Sequence, residues 1–189
     1  NGMLQEAYIE RTSRKGIVGN IYKGKVVRVL PSMEAAFVDI GLERAAFIHA
    51  SDVACSQSGP EEPSDGPKTV PDIRTLLREG QSLVVQVTKD PIGTKGARLT
   101  TQLSIPSRYL VFMPGVSHIG ISQRIEDDNE RTRLKTLIEE AAEQSDDVQG
   151  GYIIRTAAEA AAAEDLIADM AYLHRLSQSI QDRIGSAPA

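Results

Sequence analysis

Between residues 19 and 101 run five strand-like phrases, GNIYKGKVVRVLP, MEAAFVDI, RAAFIHASDV, QSLVVQVTKD and GARLTTQLS, and in the middle three, apolar positions alternate with others at a period of two. That is the period of a strand buried on one face, so the five phrases predict five strands closing into an OB-type barrel. In the second phrase Val38 and Ile40 share one face, which leaves Phe37 and Asp39 on the other. In the third, Ile48 and Ala50 share a face, which leaves Phe47 and His49 opposite them. Tyr22 is out of phase with Lys23 and Lys25 and is expected in the core. Residues 55–71, CSQSGPEEPSDGPKTVP, read as a solvated loop rich in Pro, Gly, Ser and acid. DIRTLLRE then predicts a short helix closed by a glycine cap at Gly80.

After residue 103 the pattern changes. RYLVFMP and HIGISQRIE predict strands, and Asp127 offers an N-cap with Glu130 placed to reach back to it. The next helix puts Leu134, Leu137, Ile138, Ala141 and Ala142 on one face. QSDDVQGG predicts a break, GYIIRT a buried strand, and the Ala-rich stretch a helix striped by Leu166, Met170, Leu173, Ile180 and Ile184. Strand, strand, helix, strand, helix makes a small α/β unit. Asn1-Gly2 is a turn signal, and a strand over residues 4–10 follows with no partner in its own zone. The expectation is that this strand pairs with the α/β unit and that the chain is a fragment beginning within a hairpin. The barrel, 16–103, would then be inserted between 1–15 and 104–189.

Composition narrows the partner. The chain carries 21 Lys+Arg against 26 Asp+Glu, a net charge of −5, which argues against nonspecific coating of nucleic acid. Local patches decide phosphate binding, however, and the acids cluster at 61–65, 126–130 and 139–147, away from the barrel phrases. One cysteine, Cys55, leaves no disulfide within the chain, and the three histidines share no metal-ligand spacing. No run approaches the roughly 18 apolar residues of a membrane span. A reducing, cytoplasmic setting without membrane association is expected, and no metal site.

With only 4% aromatics, rings on a non-core face need a reason. Single-stranded RNA supplies one, because bases stack on aromatic rings beside cations that follow the phosphates. Phe37, Phe47 and His49 are the candidate rings, and Lys25, Lys95 and Arg98 the candidate cations. The competing reading packs each phenylalanine under the loop or against the second unit. Arg155 and Thr156, ending a strand before a helical stretch, form a second candidate, for a phosphate. Thr156 to Glu159 also fits a capping box, with Arg155 merely solvated. No convergent carboxylates, Ser/His/Asp order or phosphate-binding glycine loop is evident, so no catalytic residue is assigned.

The phrases GNIYKGKVVRVLPSMEAAFVDIGLERAAFIHASD, DPIGTKGARLTTQLSIPSRYLVFMPG, GISQRIE and GYIIRTAAE resemble the amino-terminal part of the ribonuclease E/G family, nearer its ribonuclease G pattern. The resemblance implies an α+β architecture, an S-one-type OB-fold barrel inserted into a ribonuclease-H-like subdomain. It implies a single-strand-specific endoribonuclease of ribosomal RNA maturation and messenger RNA decay, acting on RNA with a 5′-monophosphate. The family's phosphate pocket matches Arg155, Thr156, Ser107 and Val111, with Ser107 standing where the ribonuclease E pattern has glycine. Its barrel aromatics and channel lysine match Phe37, Phe47 and Lys95. Catalytic Mg2+, structural Zn2+ and homo-oligomer assembly are implied for later domains of the parent, so this chain is expected to bind RNA without cutting it. The alternative is a stand-alone OB-fold module of a translation or ribosome-associated factor. Two further readings are an oligomerisation scaffold and a complete nuclease.

Overall fold

The structure, a computed structural model, describes residues 16–53, 71–143 and 150–187. The expected strand at 4–10, Cys55, nearly all of the 55–71 loop and Asp146-Asp147 lie outside these residues, and so does the strand pairing that would make the barrel an insertion. Strands β1 (Ile21–Leu30), β2 (Ala35–Asp39), β3 (Ala46–His49), β4 (Ser82–Lys89) and β5 (Arg98–Thr100) close a barrel in the order β1-β2-β3-β5-β4. All its pairings are antiparallel except β3 with β5. Alternation explains the core, since Val26, Val38, Ile48, Val85, Val87 and Leu99 point inward and are buried. Each such side chain contributes about 1.5–3 kcal/mol of transfer free energy. Tyr22 is half-buried against this core.

The helix of DIRTLLRE is a single turn, α1 (Ile73–Leu76), capped by the Asp72 carboxylate on the Arg74 amide at 2.8 Å. It ends at Leu77, which is extended and buried, so the chain leaves the helix to place that side chain in the barrel. Gly80 therefore does not cap it. At φ +83° the glycine instead forms the turn into β4, its amide on the Val26 carbonyl at 2.8 Å.

The second unit is a mixed sheet of β6 (Ile105–Pro106), β7 (Leu110–Pro114), β8 (Ile119–Ile121) and β9 (Gly150–Ile154), in the order β6-β7-β9-β8. Helices α2 (Asp128–Glu143) and α3 (Ala163–Ser186) pack on it through the stripes read from the sequence. Leu134, Ile138, Leu166, Met170 and Leu173 are buried against Leu110, Phe112, Tyr152 and Ile154. Ile180 packs from the margin, and Ile184 is half-buried.

Two local expectations differ here, at β8 and at Glu130, and one holds. β8 stops at Ile121, because Ile125 turns under the helices and Arg131 donates to the Ser122 and Ile125 carbonyls at 2.9 and 3.0 Å. The helix break read from QSDDVQGG is met, α2 ending at Glu143, and its two glycines, Gly150 and Gly151, begin β9. A Cβ there would come within 2.3 Å of the Phe112 ring and 2.2 Å of the His118 carbonyl. Glu130 does not reach back to Asp127. It pairs with Arg133 at 2.6 Å and accepts the Ala160 amide at 2.9 Å, and hydrogen bonding from Arg133 holds its carboxyl down to about 2. Asp127 does cap α2, accepting the Asn129 amide at 2.9 Å.

Barrel and sheet are tied at Ser104. The buried Gln86 amide donates to its carbonyl at 2.9 Å and accepts its backbone N–H at 2.8 Å. At the other end of the chain, Lys23 Nζ donates to the Ala187 carbonyl at 2.7 Å.

Candidate nucleic-acid interface

Register places one transverse row across all five barrel strands. Arg28 lies opposite Phe37, Phe37 opposite Phe47, Phe47 beside Arg98, and Arg98 opposite Lys89. The row lies on the non-core face, with Phe37 exposed and Phe47 half-buried. Residues opposite one another on a sheet face bring their Cβ atoms within about 5 Å, so both rings stand on one face with cations further along the row. Arg28 and Lys89 reach the row through irregularities between Val26 and Arg28 and between Val87 and Lys89. These bulges put Val27 and Arg28, then Thr88 and Lys89, outward in succession. The sequence puts both cations within the barrel phrases, but strict alternation would turn them toward the core.

Beside the row is a cleft of about 500 Å³ whose walls include Met33, Phe37, Phe47, Arg44, Lys95 and Gly96. It is mainly apolar with cations at its edge, the chemistry of a nucleobase and its phosphate. Lys95 is brought there by a tight turn in which Ile92 and Lys95 exchange backbone hydrogen bonds of 3.2 and 3.0 Å. Two contacts fix this turn over β3. The Arg44 guanidinium donates to the Gly93 carbonyl, and Gly96 sits so close that a Cβ would lie 2.0 Å from the Ala45 carbonyl. Neither Arg44 nor Met33 is marked by sequence pattern, because their place depends on loops meeting across the barrel.

The other barrel candidates are engaged differently. Arg98 donates through Nε and Nη2 to one Asp52 oxygen, at 3.0 and 2.8 Å, so its charge in the row is compensated. His49 Nδ1 accepts the Ser51 amide at 3.2 Å and lies 2.9 Å from the Ser51 hydroxyl, which makes the ring a cap for a short 3-10 turn. Lys25 lies opposite Asp39 and is not among the residues of the cleft.

The sheet builds a second place for an anion. Arg155 follows β9 directly and is exposed, and its Nη1 donates to the Ser107 carbonyl and, at 3.4 Å, to that of Arg108. Thr156 Oγ1 lies 3.0 Å from the Ser122 hydroxyl. Thr156 opens a 3-10 turn without a side-chain cap, and α3 starts only at Ala163, so neither the capping box nor a helix start at Thr156 is formed. Val111 pairs with Ile153, and Ser107 lies at the turn from β6 to β7. Guanidinium, two hydroxyls and strand-end backbone thus meet at one sheet end. Among the described residues no group of three or more His, Cys, Asp or Glu comes together to hold a metal, and no helix is long and apolar enough to cross a membrane.

Two family models match the chain. Residues 15–100 match the family model described as S1 RNA binding domain, and residues 104–189 the one described as Ribonuclease E/G family. Ribonuclease G of Salmonella typhimurium is 58% identical over 182 residues, covering 96% of this chain and 36% of the relative. Ribonuclease G of Escherichia coli is 57% identical with the same coverage. Ribonuclease E of Escherichia coli is 39% identical over 188 residues, 98% of this chain and 17% of the relative. The chain thus spans about a third of the length of the ribonuclease G relatives.

Proposed function

We propose, from the premise that this chain belongs to the ribonuclease E/G family and carries an S1 RNA binding domain, that it is the RNA-engaging part of a single-strand-specific endoribonuclease. The observation that carries the reading is the row of Arg28, Phe37, Phe47, Arg98 and Lys89 beside an apolar cleft edged by Lys95. Stacking on Phe37 and Phe47 takes unpaired bases, and the cations at the row's ends follow the phosphates. A duplex keeps its base faces stacked on one another and cannot use such a platform. Arg155 and Thr156 are read as contacts to a 5′-monophosphate. In support, a guanidinium fork matches phosphate oxygens, with hydroxyls beside it to donate.

For the parent protein the reading is a cytoplasmic homo-oligomer acting in ribosomal RNA maturation and messenger RNA decay. The family resemblance assigns catalytic magnesium and structural zinc to later domains of that parent.

The test is fluorescence anisotropy of a short A/U-rich RNA in EDTA, comparing 5′-monophosphate with 5′-hydroxyl ends. The wild-type chain is expected to prefer the monophosphate several-fold. Phe47→Ala should weaken both RNAs, and Arg155→Ala should equalise them. Equal affinities for the wild type would remove the end-sensing part of the reading, and absence of RNA binding would remove all of it.

A further inference from the structure

We infer that Asp169, on α3, is a positioning residue for the phosphate site: it fixes the β6–β7 turn whose carbonyls aim the Arg155 guanidinium. The inference rests on the reading of Arg155 and Thr156 as phosphate-binding residues.

Arg155 is exposed beyond the end of its strand, and a free arginine side chain loses much of its rotamer entropy when a ligand orders it. Here the side chain is already directed, because Nη1 donates to the Ser107 and Arg108 carbonyls. Those carbonyls belong to a short turn, and a turn can aim a guanidinium only if it is itself held. Its own backbone supplies one tie, Ser107 N–H to the Leu110 carbonyl at 2.8 Å, and the Arg155 amide adds another, to the Tyr109 carbonyl at 2.8 Å.

The remaining ties come from Asp169. A single oxygen, Oδ2, accepts the Ser107 hydroxyl at 2.5 Å and the Tyr109 amide at 3.0 Å. These donors stand on either side of Arg108, so one carboxylate oxygen grips the turn at two points around the carbonyls that Arg155 uses. The Ser107 hydroxyl also lies 2.9 Å from the Leu110 carbonyl, but it has one hydrogen, and the shorter bond to a charged acceptor takes it. A use for Ser107 follows. Its hydroxyl is one of the two donors that the Asp169 carboxylate holds.

Asp169 is no phosphate ligand, since a carboxylate facing the phosphate would repel it. The two roles predict opposite results. As a positioning acceptor, Asp169 is replaceable by Asn, whose amide oxygen accepts the same two donors. As a mere negative charge, its removal in either variant would raise affinity for phosphorylated RNA.

The experiment uses the whole 189-residue chain and the ratio of affinities for 5′-monophosphate and 5′-hydroxyl RNA of one sequence. Asp169→Ala should bring the ratio from several-fold to unity with 5′-hydroxyl affinity unchanged, while Asp169→Asn keeps it. Hydrogen exchange at the Tyr109 amide should be fast in Asp169→Ala and protected in Asp169→Asn. Should Asp169→Ala fail to fold, Ser107→Ala removes only the hydroxyl and should lower the ratio part of the way. An unchanged ratio in Asp169→Ala, or an increase in both variants, overturns the inference alone. A wild type without any preference overturns the phosphate reading and takes this inference with it.

Discussion

Phe37 stands directly opposite Phe47 across β2 and β3, at the centre of a row that ends in Arg28 on one side and Arg98 and Lys89 on the other. Their neighbours in sequence, Ala36, Val38, Ala46 and Ile48, are all buried. One strand pairing thus buries the aliphatic faces of two strands and puts both rings on the opposite face. Replacing either ring should cost binding more than folding. Phe37→Ala and Phe47→Ala are each expected to weaken binding of single-stranded RNA by about 1–3 kcal/mol, the measured worth of a stacked base. Anisotropy titration beside thermal melting checks this, and a large loss of stability without loss of affinity would make the rings packing residues.

Arg98 and Asp52 form a partly exposed pair, with 37% and 24% of their side chains accessible. Such a pair adds at most about 1 kcal/mol to folding, so its loss is cheap. Asp52→Asn keeps an acceptor for the guanidinium while uncovering its charge in the aromatic row. RNA affinity should rise, and the slope of log K against log salt should steepen by about 0.7, the value for one further single-strand phosphate contact. An unchanged slope would place Arg98 off the RNA path.

Gly96 holds the Lys95 turn against β3. In Gly96→Ala the new methyl would meet the Ala45 carbonyl at 2.0 Å, and backbone cannot swing aside as a side-chain end does. A cost of about 1–3 kcal/mol in stability is expected, with RNA affinity falling as Lys95 leaves the cleft. Gly93→Ala is the control. Its Cβ meets open space, and only the φ of +57° opposes it, at about 1–2 kcal/mol. Melting and binding of the two variants together separate backbone strain from loss of the close contact.

The Tyr152 hydroxyl and His174 Nε2 form a hydrogen bond beside the Phe112 ring, under α3. Burial pushes Tyr152 up to about 12 and lowers His174 from its usual 6.5. A histidine depressed in the folded state binds its proton more readily when unfolded, so stability is whole above pH 6.5 and declines as pH falls below it. Tyr152, raised when folded, contributes below its ordinary 10.0 and loses that contribution as pH climbs through about 12. Glu130 acts in a third window, from its ordinary 4.5 down to about 2. Melting temperature should therefore fall between pH 7 and pH 5, and His174→Gln should abolish that slope. A slope that persists in the variant would place the titrating group elsewhere.

Alternation at Val38-Ile40 and Ile48-Ala50 is local and periodic, so it shows which face Phe37 and Phe47 occupy before any folding is known. The helix stripes through Leu134 and Ile138 and through Leu166, Met170 and Leu173 are legible for the same reason, and all five residues are buried. Arg28 and Lys89 were not legible as members of the row, because a bulge adds one residue and moves each off its expected parity. Nor was the compensation of Arg98 by Asp52, since those residues are 46 positions apart.

What the sequence determined by itself is the kind and inward face of the longer elements, because a side chain's direction follows from backbone periodicity and its transfer free energy from its own chemistry. It also placed Arg155 and Thr156 together at a strand end, which adjacency alone ensures. Tertiary structure decided which charges are free and which are spent, and which loops stand over which strands. Lys95 reaches the cleft because Gly96 fits against Ala45, and Arg155 is aimed because Asp169, from another element, holds the turn it leans on. Such contacts depend on a few ångströms between residues far apart in the chain, and these distances exist only once the barrel has closed and the helices have packed on the sheet.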